Sequence, residues 1–211
     1  MKNYLIIGRP ISHSLSPKLH NYWFRENKID CHYDKISPAE DEIKIIIEKI
    51  KNKEIHGINV TVPFKQTVIP FLETLSDTAT KTNSVNTIFI KNEKIHGDNT
   101  DVYGFEKSIL NNKINLENKS ALIIGAGGVV SSIILALITL KIKKIYISNR
   151  TIEKAHLIKD KFNSIEVVEW GNIKNCDLLI NSTSVGLKTG DHLGLNFNDL
   201  KGSKIFYDVI Y

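Results

Sequence analysis

Apolar residues fall into short runs cut by polar, glycine- and proline-bearing stretches, and the runs alternate between two periodicities. Tyr4 to Ile7 is an apolar strand that stops at Gly8. Ser16-Pro17 opens a helix, with Ser16 as N-cap and Pro17 in the first helical position. Ser37-Pro38-Ala39-Glu40 reads as a capping box. Ile43, Ile46, Ile47 and Ile50 follow at the spacing of one helical face. Gly57 to Val62 predicts another strand, and Pro63-Phe64 the start of another helix. Val85 to Ile90 and Lys94 to His96 predict two strands joined at Asn92-Glu93, before a helix from about Val102 to Asn111.

The polar stretch 111–119 leads into a second unit. Its strand Ser120 to Ile124 turns at glycines into a helix, Val129 to Leu140. Strand Lys144 to Ser148, a helix from Thr151, and strands Leu178 to Asn181 and Ile205 to Val209 complete it. Strand–helix alternation of this kind builds parallel sheets with helical crossovers, so the fold class is α/β. The expected organisation is an N-terminal α/β domain over 1–101, a connecting helix and linker over 102–118, and a doubly wound domain over 119–211.

Ala121 to Leu140 holds 20 residues without a charge and is followed by Lys141, Lys143 and Lys144, the length and flank of a membrane span. Gly125, Gly127 and Gly128 divide it into a strand and a helix, each too short to cross, and Ser131, Ser132 and Thr139 dilute the helix. No membrane association is therefore expected. The N-terminus lacks a secretory signal, and Cys31 and Cys176 stand far apart in no metal spacing, so a cytoplasmic protein with reduced thiols is expected. The net charge of +5 over 211 residues is compatible with an anionic ligand. No basic run is interleaved with aromatics, which argues against a nucleic-acid partner.

Gly125-Ala126-Gly127-Gly128-Val129 sits between strand and helix, where glycines let backbone N–H groups approach a pyrophosphate at a helix N-terminus. Such a turn marks a Rossmann-like domain. Val130 occupies the third glycine position of the strict fingerprint. The following strand ends in Ser148-Asn149-Arg150-Thr151, without the acid that accepts ribose hydroxyls in NAD sites. Arg150 instead suits a 2′-phosphate, and Lys154 adds a cation one turn on. Together they favour NADP (NADPH) over NAD.

Polar strings mark the ends of strands and turns in the first half: Ser12 to Pro17, Asn59-Val60-Thr61-Val62-Pro63-Phe64-Lys65, Ser84-Val85-Asn86-Thr87, and Gly97-Asp98-Asn99-Thr100-Asp101. With GAGG, SNRT and Tyr207-Asp208-Val209-Ile210-Tyr211, these strings closely resemble the shikimate dehydrogenase family over essentially the whole chain. The resemblance implies NADPH-dependent, reversible reduction of 3-dehydroshikimate to shikimate in aromatic amino-acid biosynthesis. It implies Lys65 and Asp101 as the catalytic pair, Lys65 being read as lying at a helix N-terminus. It implies that Ser14, Ser16, Asn59, Thr61, Asn86 and Tyr211 bind substrate, and that Asp77, Thr183 and Val209 lie beside the cofactor. His13, His20, His56 and His96 show no metal-ligand pattern. A homodimer is compatible with the resemblance.

Members of that family continue past the position of Tyr211 with helices that return to the first lobe and carry a GxxMLxxQ-like segment. This sequence does not reach them, so it is expected to be either a partial chain or a protein without one wall of its site. Two alternatives remain at this stage: a quinate/shikimate dehydrogenase, and a truncated non-catalytic member of the fold.

Overall fold

The structure, a computed structural model, describes residues Met1 to Ile210, and its chain divides into two compact units, Met1–Thr100 and Asp101–Tyr211. In the first, strands β1 (Lys2–Ile7), β2 (Cys31–Ile36), β3 (Gly57–Val60), β4 (Thr74–Leu75), β5 (Thr87–Lys91) and β6 (Lys94–Asp98) form a six-stranded sheet. Its order is β2-β1-β3-β5-β6-β4, and only β5 runs against the others. The helices are α1 (Ser16–Glu26), α2 (Ile43–Lys51) and α3 (Asp77–Thr82).

Alternation along β1 separates two cores. Leu5 and Ile7 join Ile43, Ile46, Ile47 and Ile50 of α2, whereas Ile6 packs with Ile11 and Tyr33 and with Phe24 of α1. These four of the five isoleucines of α2 are buried, as their spacing requires, and each contributes about 1.5–3 kcal/mol of transfer free energy, whereas Ile45, off that face, is exposed. The tight turn after β5 uses Asn92 and Glu93 at φ 50° and 63°, the left-handed conformation that joins two antiparallel strands.

Three helix starts differ from expectation. Ser16 is the first residue of α1 and Leu15 holds the cap position; the Ser14 hydroxyl accepts the Ser16 N–H at 3.3 Å. Ser37 caps nothing: a 3-10 turn, Glu40–Glu42, precedes α2, and the Glu42 carboxylate accepts the Ala39 N–H at 2.7 Å. No α-helix begins at Pro63. Residues 62–68 form turns, followed by a 3-10 segment, Ile69–Phe71. Pro70 offers no N–H to the Gln66 carbonyl, so an α-helical ladder begun at Pro63 would be broken within two turns.

In the second unit α4 (Asp101–Asn111) leads to β7 (Ser120–Ile124), α5 (Val130–Thr139), β8 (Lys144–Ser148), α6 (Ile152–Lys159), β9 (Ile165–Val168), β10 (Leu178–Asn181) and β11 (Ile205–Asp208). All five strands are parallel in the doubly wound order β11-β10-β7-β8-β9. The apolar run of β7 is buried on both sides, Ala121 and Ile123 against the α4–α5–α6 face and Leu122 and Ile124 against the other. That second face is covered by irregular chain, including Trp170, Ile173, Cys176 and the segment from Leu193 to Leu200. Both cysteines are free thiols. Among the described residues no helix is long and apolar enough to cross a membrane.

Candidate functional site

Because β5 alone is reversed, its start lies at the same sheet edge as the carboxyl ends of β1, β3, β4 and β6. The loop after Ile7, Thr61 to Lys65, Ser76-Asp77, Ser84 to Asn86 and Asn99-Thr100 therefore share one edge of the first unit. Hydrogen bonds tie these loops together. Thr61 donates its N–H to the Ile7 carbonyl at 2.9 Å, and the Lys65 carbonyl accepts the Val85 N–H at 2.8 Å. The Asn86 amide donates to the Thr100 hydroxyl at 2.9 Å and accepts the Thr100 N–H at 3.0 Å. Asn99 is buried and donates to Thr82 Oγ1 and the Ser84 carbonyl at 3.1 and 2.9 Å. Gly8 makes the packing possible: a β-carbon there would lie 2.3 Å from the Thr61 methyl.

Within this edge Asn59 accepts the Tyr33 hydroxyl at 2.6 Å and donates to the Asn86 carbonyl and Thr87 Oγ1, each at 3.3 Å. Ser14 and Ser16 are half-buried on the loop and helix start after β1. Lys65 is half-buried, with its backbone in a turn, so the helix-dipole argument made for its ammonium does not hold. Asp101, also half-buried, is the first residue of α4 and follows Thr100 directly. Asp77 begins α3, where Ser76 is the cap accepting the Ala79 N–H at 3.1 Å, and pairs with Lys81 at 2.7 Å on the exposed surface. Tyr211 lies outside the described residues.

The second unit gathers its candidate residues at the carboxyl ends of β7, β8, β10 and β11, flanking the point where strand order reverses. Gly125 has φ +110°, and a β-carbon on it would meet Ser182 Oγ at 2.8 Å. Gly127 and Gly128 are exposed, and Ala126 and Val129 half-buried, at the approach to α5. Arg150 and Lys154 are exposed, and Thr151 is the N-cap residue of α6. Asn149 donates to the Thr151 carbonyl at 2.7 Å. Bare backbone at the start of a ten-residue helix, with two exposed cations beyond the next strand, fits a dinucleotide carrying an extra phosphate.

Asn181 organises the other flank. Its Oδ1 accepts the Thr183 N–H and hydroxyl at 3.1 and 2.8 Å, its amide donates to the Val185 carbonyl and the Asp208 carboxylate at 3.1 Å, and its carbonyl accepts the Val209 N–H at 3.1 Å. An open pocket of about 420 Å³ adjoins it, lined by Asn181, Asp208, His192 and Phe197. In the first unit a slightly larger depression near Arg25 and His32 lies at the amino-terminal end of β2, opposite the loops gathered at the carboxyl ends of its neighbours. Sequence reasoning passed over Tyr33, Ser182, Asn181 and Asp208. Only the alternation in Cys31-His32-Tyr33-Asp34 offered a signal for the first, and strand pairing alone reveals the rest.

Family models for the shikimate dehydrogenase substrate-binding domain and for shikimate/quinate 5-dehydrogenase match residues 6–88 and 107–188. The chain is 51% identical to the shikimate dehydrogenase (NADP(+)) of Pelagibacter ubique, over all of this chain and 79% of that protein. It belongs to the shikimate dehydrogenase family. Shikimate dehydrogenase from Aquifex aeolicus, 36% identical, superposes over all of this chain and 79% of its own with a TM-score of 0.89. The shikimate 5-dehydrogenase of Thermus thermophilus, solved with NADP(H) and shikimate, does so at 25% identity, again with a TM-score of 0.89 and 79% coverage of its chain. Against these relatives a quinate preference is not favoured.

Proposed function

We propose that the protein reversibly reduces 3-dehydroshikimate to shikimate with NADPH, in aromatic amino-acid biosynthesis in the cytoplasm, acting on small molecules and not on nucleic acid. The observation that carries this reading is the convergence of five polar loops, separate in sequence, on one edge of the six-stranded sheet. In this proposal residues 1–101 hold the substrate, 102–118 connect, and 119–211 hold the cofactor.

NADPH, when bound, supplies the hydride. Negative charge then builds on the ketone oxygen, and the Lys65 ammonium donates a proton to it, returning as the base in the oxidative direction. Asp101 favours the ammonium form and orients it. Ser14, Ser16, Asn59, Thr61, Asn86 and Tyr211 hold the carboxylate and ring hydroxyls. Gly125 makes the turn, its own N–H held by the Ser148 carbonyl at 2.8 Å, so that Ala126, Gly127, Gly128 and Val129 present backbone N–H groups to the pyrophosphate, and Arg150 with Lys154 grips the 2′-phosphate, supported by Asn149 and Thr151. Thr183, Val209 and Asp77 complete the cofactor contacts.

Consumption of NADPH on addition of 3-dehydroshikimate tests the activity. Lys65→Ala should lower kcat by about 10²–10⁴-fold, the usual share of a proton donor, while shikimate binding by calorimetry stays close to the parent. Parent-like turnover in this variant would remove Lys65 from the chemistry.

A further inference from the structure

Tyr33 sits in the middle of β2 with only 3% of its surface exposed, and a phenol so buried requires a hydrogen-bond partner. That partner is Asn59, whose Oδ1 accepts the Tyr33 hydroxyl at 2.6 Å. The tyrosine is itself held rigidly. His20 of α1 stacks on its ring at 4.3 Å between centroids and 8° between planes. Asn21 grips its backbone twice, accepting the Tyr33 N–H at 2.9 Å and donating to its carbonyl at 2.7 Å. Burial pushes the Tyr33 phenol well above its usual range and lowers His20, so at neutral pH the hydroxyl stays a donor and the stacked ring stays uncharged.

An asparagine amide has two orientations, and here the surroundings choose one. With Oδ1 toward Tyr33, Nδ2 faces the Asn86 carbonyl and Thr87 Oγ1 at 3.3 Å each. The reverse would set Oδ1 against the Asn86 carbonyl, which already accepts the Val60 N–H at 2.8 Å, so two acceptors would face each other. The short bond is the one to Tyr33. The two Nδ2 contacts are long enough to give way to a better acceptor.

We infer that Tyr33 is a positioning residue for substrate recognition, fixing Asn59 so that its amino group, and not its carbonyl, is presented to a ring hydroxyl oxygen of shikimate. This rests on the proposal that Asn59 contacts substrate. A hydroxyl at this position must then accept, which makes Tyr33, and the Asn21 and His20 contacts that hold it, part of the specificity of the site through Asn59.

Tyr33→Phe removes one oxygen and keeps the ring stack. In the full chain, oxidising shikimate with NADP⁺, it should raise the shikimate KM roughly tenfold, the value of one lost hydrogen bond, with kcat and the NADP⁺ KM nearly unchanged. Asn59→Ala alone should raise the shikimate KM at least as much, and adding Tyr33→Phe to it should raise it no further. Equal KM increases from Tyr33→Phe with and without Asn59 would overturn the inference, as would an unchanged KM in Tyr33→Phe. If Asn59→Ala itself binds shikimate like the parent, the substrate-site assignment fails and this inference falls with it.

Discussion

Gly125 and Gly127 stand two residues apart in one turn yet are constrained by different forces. At Gly125 a side chain is excluded twice, by φ +110° and by Ser182, whose Oγ and carbonyl carbon would lie 2.8 and 2.9 Å from a β-carbon. At Gly127 the closest atom to such a carbon is the Ser182 carbonyl oxygen at 3.8 Å, an ordinary contact. Gly125→Ala should therefore destabilise the fold by about 1–3 kcal/mol, read as a lower urea midpoint. Gly127→Ala should unfold like the parent but lose NADPH affinity, because only the approach of phosphate feels its methyl group. Equal midpoints for the two variants would show that Ser182 does not constrain the turn. The spacing of the glycines was readable from sequence as a phosphate turn. The demand at Gly125 was not, because Ser182 is distant along the chain and arrives only when β10 pairs with β7.

Elements whose apolar period was strong formed where expected, β7, α2, β8 and the edge strand β11 among them, whereas the polar edge strands β2 and β9 gave no such signal. β2 carries His32, Asp34 and Lys35, and β9 is only four residues long with Glu166 exposed. Each lies at a sheet edge, where one partner strand suffices and polar residues are tolerated. Helix starts misled because a serine before a proline is locally equivalent to a cap, while the backbone responds to neighbours such as Ser14 and Glu42. The starts of β7 and β10 are joined by Asp177, whose carboxylate accepts the Ser120 N–H and hydroxyl at 2.9 Å each and lies 3.6 Å from Lys119. The Ser120 N–H, foremost, holds Asp177 below the usual carboxylate range. A depressed folded value means stability that is present at neutral pH and lost as pH falls through that value. The urea-midpoint gap between the parent and Asp177→Asn should thus be widest near neutrality and close in acid; a gap independent of pH would contradict this linkage.

Ligand-linked stability joins these details. A ligand that binds only the folded chain stabilises it by about 2.7 kcal/mol at 100 times its dissociation constant. NADPH should raise the melting temperature more than equimolar NADH, and Arg150→Ala should erase that difference while leaving the shift caused by shikimate. An undiminished NADPH preference in the variant would place the 2′-phosphate elsewhere. The class of fold, the glycine turn and the cationic strand end are dictated by local sequence, because hydrophobic period, backbone freedom and charge act between near neighbours. The sharing of one edge by the loops after β1, β3 and β6, the covering of one sheet face by irregular chain, and the grip of Tyr33 on Asn59 come only from tertiary structure. They depend on which strands pair and in which direction, and that is decided by burying distant apolar faces together, which no local stretch of chain encodes.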